Sequence, residues 1–151
     1  MRTKIPPPIV ALISILLTYL SRDYLGFFHI NFYVQQTLYI IFFGLGISII
    51  FFATREFKAI DTTVNPMKPK NASNLVTSGI FKYTRNPMYL GLTSILLSSA
   101  IYFSSLFGVI IYVPLFILYI TIFQIIPEEE AMRELFKDKY KDYCSNVRRW
   151  I

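Results

Sequence analysis

The chain has 151 residues, of which 54% are hydrophobic and 17% aromatic, while only 16% are charged. A soluble domain of this length is usually about 45–50% apolar with about a quarter of its residues charged, and it has too small an interior to bury so much apolar surface. The composition therefore disfavours a water-soluble bundle and favours an integral membrane protein. The net charge of +6 does not require a nucleic acid partner, because basic residues near a membrane are attracted to anionic lipid head groups.

The predicted fold is all-α, with about four transmembrane helices in one domain that covers residues 1–151. About 20 apolar residues cross about 30 Å of hydrocarbon; the second and fourth stretches reach that length, while the first and third lie near the lower limit. The stretches are 5–20, 32–53, 88–103 and 106–126. The first could instead be a signal peptide, because Arg2 and Lys4 precede a short apolar run. No small-residue cleavage site follows it, so an uncleaved span is preferred.

The basic residues predict the orientation of these spans. With four spans, both termini share a side with the segment between the second and third, and that side holds all but one of the 15 Lys and Arg residues. Only Arg22 falls on the opposite side. The positive-inside rule then places both termini and the polar segments in the cytosol.

Two polar segments, 54–87 and 127–151, are predicted to form a cap on the cytosolic face. The first is too long for a simple connector and is expected to be structured, with at most one short helix. The second shows an apolar stripe typical of an amphipathic helix that lies on the membrane or covers the core of the cap. The stripe consists of Met132, Leu135, Phe136, Tyr140 and Tyr143.

The boundary between the cap and the third span indicates an anion site. Asn86 precedes Pro87 and is therefore expected to be extended and to act as an N-cap, while Pro87 suits the first position of a helix. The free N–H groups of that helix start attract anions, and Arg85 adds a forked cationic donor. A carboxylate or phosphate oxygen would be held there. The alternative is an ordinary helix start with an interfacial arginine and tyrosine.

Three adjacent glutamates, Glu128 to Glu130, follow the fourth span. They could form a solvated helix end, with Glu129 paired to Arg133 four residues on. If the helix continues through Pro127, however, Gln124 and Glu128 project from one face. Glu128 could then bind an ammonium group or a ribose hydroxyl.

Together these residues resemble the isoprenylcysteine carboxyl methyltransferase family, to which phospholipid N-methyltransferases are related. The resemblance rests on LVTSGIF at 75–81, on KYTRNPMYLG at 82–91, and on the paired glutamates with the aromatic tail. It implies a small helical membrane bundle whose cytosolic face binds S-adenosylmethionine. The cofactor contacts implied by the resemblance are Leu75, Val76, Phe81, Asn86, Pro87, Met88, Tyr89 and Glu128.

The sequence departs from this family at three places. Asn86 stands where many relatives have a histidine. Gln124 stands where the isoprenylcysteine enzymes carry an arginine thought to hold the substrate carboxylate, which weakens the case for a prenylcysteine substrate. NVRRW at 146–150 replaces a common Arg-Val-Pro-Arg-Trp run. Gly44 and Gly46 are similar to a glycine pair of phosphatidylethanolamine methyltransferases, but a Gly-x-Gly in a span more often serves helix packing.

The predicted reaction is direct methyl transfer to a lipophilic acceptor that enters from the bilayer, without a metal or a nucleic acid partner. Arg85 and Glu129 are the predicted catalytic residues, Glu129 as a base for an amine or thiol acceptor, and Gln124 is the predicted substrate contact. One alternative is an NADPH-dependent sterol-type reductase, which shares an Arg-x-Pro-x-Tyr element. This alternative fits the sequence poorly, because Leu92 stands where such reductases often have an acid and because the paired glutamates do not match them. The other alternative is a non-catalytic membrane protein.

Overall fold

A computed structural model describes residues 5–24, 31–59 and 74–151 of the protein. The described residues form helices and contain no strand, in agreement with the all-α prediction. The part of the predicted cap at 60–73 and the basic residues Arg2, Lys4, Lys68 and Lys70 lie outside the described residues. The helices are α1 (Pro7–Leu20), α2 (Phe32–Ala59), α3 (Pro87–Tyr102), α4 (Val113–Ile120) and α5 (Ile126–Asn146), with a short 3-10 helix at Gly79–Lys82.

The predicted spans coincide with these helices at most of their ends. α1 and α3 match the stretches 5–20 and 88–103 to within two residues. α2 continues six residues beyond the predicted end at Ala53, because no glycine or proline interrupts the polar residues that follow. α2 is long and apolar enough to cross a membrane, and so is the continuous helix Gly108–Asn146; α1 and α3 are apolar but shorter.

The fourth stretch does not end where its apolar residues end. It continues through Pro127 into the tail, within a helical stretch over Gly108–Asn146 that is kinked at Lys137 and has π-helical turns at Gly108–Tyr112 and Thr121–Ile125. Each π turn ends two residues before a proline, Pro114 or Pro127. Proline lacks an N–H and its ring clashes with a carbonyl of the preceding turn, and a wider turn relieves that clash. The helix therefore carries Glu128 and Glu129 rigidly onward from the apolar segment.

α2 and α3 cross at two glycines. A Cβ atom on Gly46 would lie 2.7 Å from the carbonyl oxygen of Gly91, so both glycines are needed for this close approach. Nearby, the Ser94 hydroxyl donates to the carbonyl of Phe42 at 2.7 Å. A Cβ on Gly44 would meet nothing within 4 Å. The structure thus confirms helix packing for Gly46 and gives Gly44 no contact.

The core lies among α1, α3 and α4. Its buried members include Ala11, Leu96, Phe116 and Ile120, and the ring of Trp150 near the C-terminus packs against them. Large apolar side chains on the outer faces of α1 and α2 remain exposed. Such extensive apolar surface is typical of a protein that meets lipid.

The tail helix folds back over the cap and does not stay straight. At Lys137 the backbone takes φ 46° and ψ −118°, which kinks α5. Met132 and Phe136 before the kink, and Tyr140 and Tyr143 after it, form a cluster with Leu75 of the cap. Four members of the predicted stripe therefore pack on Leu75. Leu135 is 40% exposed and lies beside the packed face.

Replacement of Gly46 by alanine tests the α2–α3 crossing. We expect Gly46→Ala to lower the free energy of unfolding by about 1–3 kcal/mol, the usual cost of overpacking, because the new methyl group meets the Gly91 carbonyl. Gly44→Ala is the matched control and should be neutral. Thermal unfolding in detergent micelles measures both; equal stability of the two variants would contradict the crossing.

Candidate functional site

Three segments meet at one end of the helical bundle. They are the loop 83–86 before α3, the first turns of α5, and residues 147–150 after α5, which we call the C-terminal strap. The strap is extended from Val147 (φ −127°, ψ 130°). It pairs with the loop through the backbone N–H of Arg85, which donates to the carbonyl of Arg148 at 3.1 Å.

The turn that leads into this loop is held from two sides. Gly79 has φ +55°, and a Cβ there would collide with the carboxylate of Glu56 in α2, so glycine is required. The Ser78 hydroxyl donates to that same carboxylate. Phe81 is buried with Ala53, and its carbonyl accepts a hydrogen bond of 2.7 Å from the Tyr143 hydroxyl. The turn is thereby fixed to both α2 and α5.

The start of α3 differs from the predicted one at Asn86, whose backbone (φ −129°, ψ 54°) is not extended as predicted. Pro87 occupies the first helical position, as predicted, but the Asn86 side chain makes no capping hydrogen bond. Its amide nitrogen donates instead to the carbonyl of Arg149 at 2.9 Å, and the Thr84 hydroxyl donates to the same carbonyl at 3.4 Å. The prediction of an Asn86 cap was therefore wrong, because the strap competes for that side chain. No side chain caps the first turn of α3.

Glu129 lies at the centre of a cluster of three arginines. It is 4% exposed, which contradicts a solvated helix end for this residue. Arg149 binds it with both prongs of its guanidinium, Nε to Oε1 at 3.0 Å and Nη2 to Oε2 at 2.7 Å. Arg85 Nη1 lies 3.3 Å from Oε1, and the predicted partner Arg133 is 3.8 Å from Oε2. Three guanidinium groups on one carboxylate leave an excess of positive charge.

Arg85 has a donor to spare within this cluster. Its side chain is 12% exposed, and Nη1 also donates to the Cys144 sulfur at 2.5 Å. Nε is buried and has no hydrogen-bond partner. A buried donor without a partner costs free energy of about 1–3 kcal/mol, so this atom is poised to gain from a ligand oxygen. Cys144, which sequence analysis leaves without a role, is therefore a contact of the predicted site.

Glu128 faces a different partner from its neighbour. Its Oε1 accepts a hydrogen bond of 2.5 Å from the hydroxyl of Tyr89, which lies on the first turn of α3. Burial raises the pKa of Glu128 to about 7; the Tyr89 hydrogen bond opposes the rise, and the charge of Glu129 adds to it. The carboxylate therefore changes its charge close to neutral pH.

Gln124 lies one helical turn before Glu128, in the second π turn, and is 0% exposed. Its Nε2 donates to the carbonyl of Ile5, just before α1, at 2.8 Å, while Oε1 is buried without a partner. The amide orientation is fixed by this contact, because the reverse would set two oxygens against each other. The unpartnered atom of Gln124 is thus an acceptor.

Tyr140 and Tyr143 stay neutral, and the Tyr143 hydroxyl acts as a donor. Burial raises the pKa of Tyr140, and it raises the pKa of Tyr143 although Arg85 opposes the change. The hydrogen bonds to Glu129 raise the pKa of Arg149. Each group is therefore held in one protonation state over the physiological range.

The predicted site residues fall into three groups in the structure. Arg85, Asn86, Pro87 and Glu129 are brought together with the strap, and Tyr89 joins Glu128 beside them. Val76 and Phe81 are buried in a cap cluster against which Met88 packs, and Leu75 belongs to the neighbouring tail cluster. Gln124 lies apart from these groups, one helical turn before Glu128 on the side of the apolar segment.

Arg149 and Thr84 are the site residues that sequence analysis missed. Arg149 belongs to the NVRRW run at 146–150, which resembled a family motif but suggested no partner. Its contacts with Glu129 and Asn86 join residues 20 and 63 positions away, and no helical spacing encodes such distances. Among residues 5–24, 31–59 and 74–151, no three His, Cys, Asp or Glu side chains gather as metal ligands would.

Comparison with known proteins places the chain within one family. The family model for phospholipid methyltransferase matches residues 34–139, most of the chain, from the first turn of α2 into the second half of α5. Comparison with curated proteins and with solved structures found no match. The matched region includes Arg85, Asn86, Tyr89, Glu128 and Glu129, and the sequence resemblance named this family as a related one. The chain belongs to the phospholipid methyltransferase family.

Proposed function

We propose that this protein transfers a methyl group from S-adenosylmethionine to the amine of a membrane lipid. Its family supports a membrane methyltransferase. The observation that carries the finer proposal is the pairing of opposite charges at two helix ends. A cluster with excess positive charge borders the start of α3, and a half-buried carboxylate, Glu128, reaches that start through Tyr89.

The amino-acid end of S-adenosylmethionine fits these charges. Its carboxylate needs hydrogen-bond donors, and Arg85 Nε is a buried donor without a partner. The uncapped first turn of α3 adds backbone N–H groups and the positive end of the helix dipole. Charge-assisted hydrogen bonds of this kind are the strong ones. These features support a carboxylate held between Arg85 and the α3 start.

The second charged group beside the α3 start is acidic. Glu128 has an oxygen beyond its Tyr89 hydrogen bond with which to accept from an ammonium group or a ribose hydroxyl. Leu75, Val76, Phe81, Asn86, Pro87 and Met88 remain proposed contacts of the cofactor. The side chains of Val76 and Phe81 are already buried in the cap, so they support the site mainly by fixing its wall.

Glu129 is poorly arranged to accept a proton. Both of its oxygens are engaged by arginines, and protonation would forfeit those contacts. We therefore propose a positioning role for Glu129 in place of the expected base. S-adenosylmethionine would supply an activated methyl group, which a neutral amine would take to give a methylated ammonium, with S-adenosylhomocysteine as the leaving group. The residues of this chain would then mainly have to align the neutral amine with that methyl group and exclude water.

Gln124 indicates what kind of acceptor the site takes. Its free atom is a buried carbonyl oxygen, which attracts N–H or O–H groups and repels a carboxylate. A lipid with an amine head group satisfies that oxygen, whereas a prenylcysteine carboxylate does not. This supports an amine acceptor, in line with the description of the family.

The proposed arrangement in the membrane has four spans, with both termini and the site in the cytosol. α1 and α3 have 14 and 16 residues and measure about 21 and about 24 Å at 1.5 Å per residue. Flanking residues or local thinning of the bilayer can cover the remaining distance. Arg85, Arg133 and Arg149 gather at the site, which agrees with the positive-inside rule.

Binding of S-adenosylhomocysteine to the purified protein tests the cofactor site. We expect Arg85→Ala and Glu128→Ala to raise the dissociation constant by about tenfold or more, since each removes a charge-assisted contact. Lys82→Ala and Glu130→Ala, neighbouring changes of exposed residues, should leave it within about twofold. Isothermal titration calorimetry measures the dissociation constant of the wild type and of the four variants. Absence of binding to the wild type sinks the proposal, and binding of NADPH instead would favour a reductase.

The pH dependence of that binding should report Glu128. Its carboxylate attracts an ammonium group only when ionised, and its pKa of about 7 lies above the ordinary range. The attraction is present above pH 7 and is lost below it. We expect the dissociation constant to rise about fivefold or more from pH about 7.5 to about 6. Glu128→Gln should abolish this dependence; a wild-type constant that stays flat would count against the role of Glu128.

Replacement of Gln124 by leucine tests the acceptor. We expect Gln124→Leu to raise KM for an amine phospholipid about tenfold, because a buried acceptor for its N–H is lost. Affinity for S-adenosylhomocysteine should stay within about twofold. Thr121→Val alters a hydroxyl in the same π turn that bonds its own helix and serves as control. Methyl transfer to vesicles, with either an amine phospholipid or a prenylcysteine, measures the effect; preference for the carboxylate would refute an amine acceptor.

A further inference from the structure

The C-terminal strap touches every residue of the loop segment 84–86. The carbonyl of Arg148 receives the backbone N–H of Arg85. The carbonyl of Arg149 receives the side chains of Thr84 and Asn86. These three consecutive residues end directly at Pro87, the first residue of α3. The strap therefore fixes the segment on which the proposed carboxylate site depends.

The strap is itself fastened at both sides of these contacts. Before them, Val147 is buried with Tyr140 and Tyr143. After them, Trp150 packs against the central core. Between the two, the guanidinium of Arg149 holds Glu129 in a two-pronged contact. Of these anchors, Arg149 is the one that joins the strap to the charged cluster.

Arg149 also acts on Arg85 through Glu129. Both guanidiniums meet Glu129 Oε1, Arg149 Nε at 3.0 Å and Arg85 Nη1 at 3.3 Å. The Arg85 side chain is thereby oriented by its ion pair with Glu129, while its backbone is held by the strap. Its Nε is left buried and without a hydrogen-bond partner.

We propose that Arg149 is a positioning residue for the methyl-donor site, acting through the strap and through Glu129 on Arg85 and Asn86. The inference rests on the proposed function for the identity of the ligand. It assigns no contact between Arg149 and the reacting atoms. It explains why an arginine is needed, because a lysine cannot reproduce a planar two-pronged contact.

The neighbouring Arg148 supplies a matched control. Its side chain is exposed, and Arg148→Ala removes the same charge while keeping the carbonyl that holds Arg85. We expect Arg149→Ala to raise the dissociation constant of S-adenosylhomocysteine about tenfold or more. Arg149→Lys should give an intermediate rise, and Arg148→Ala a change within about twofold. KM for the lipid acceptor should stay within about twofold in all three variants.

Measurements of thermal stability and of a double variant distinguish a positioning role of Arg149 from a general structural role. The unfolding temperatures of Arg149→Lys and Arg148→Ala should agree. Glu129→Gln combined with Arg149→Ala should weaken binding no more than the stronger single change, because the two residues act as one unit. Equal affinities of Arg149→Ala and Arg148→Ala, additive losses in the double variant, or a loss of affinity in Arg149→Lys that follows a loss of stability would each overturn the inference.

Hydrogen exchange distinguishes failure of this inference from failure of the proposed function. The Arg85 amide is bonded to the strap, so Arg149→Ala should speed its exchange and Arg148→Ala should not. This measurement needs no ligand. If the wild type does not bind S-adenosylhomocysteine, the proposed function fails, but the exchange rate of the Arg85 amide still shows whether Arg149 holds the strap in place. If it binds but the Arg85 amide exchanges equally in both variants, the inference fails alone.

Discussion

The arrangement of this site depends on one buried carboxylate. Removing the charge of Glu129 from water costs several kcal/mol, and only close, well-oriented cations repay that cost. Arg149 supplies the two-pronged contact, and Arg85 adds a second cation on the same oxygen. Since Arg85 belongs to the loop before α3 and Arg149 to the strap, a single carboxylate in α5 holds three separate parts of the chain together.

That carboxylate reaches its place because a helix passes through a proline. The π turn at Thr121–Ile125 accommodates Pro127, so α5 continues without a break from the apolar helix. The same turn orients Gln124, whose fully buried amide donates to the carbonyl of Ile5, two residues before α1. The π turn thus fixes the orientation of the polar end of the helix, which carries Glu128 and Glu129, relative to its apolar part. A break at Pro127 would have separated the proposed donor site from the proposed acceptor contact.

Local features of the sequence predicted the parts of this structure that depend on local physics. The ends of α1 and α3 followed from hydropathy, Pro87 from its fixed φ angle, and the Glu129–Arg133 contact from a spacing of four residues. The prediction failed where distant segments compete. Asn86 has the chemistry of an N-cap, but the Arg149 carbonyl takes its side chain. Arg149 itself had no recognisable partner, because an extended strap has no periodicity that points to Glu129.

The two adjacent glutamates show how burial separates roles that the sequence leaves equal. Glu129 is saturated by arginines and remains a charged anchor, whereas Glu128 has a single tyrosine donor and a pKa near 7. A saturated carboxylate can orient its neighbours but has nothing left for a ligand. A carboxylate with one donor can still attract a cation when ionised. In this chain the pair therefore combines one structural acid with one acid that is proposed to face the ligand, and the rotation of about 100° between consecutive helical residues directs them to different partners.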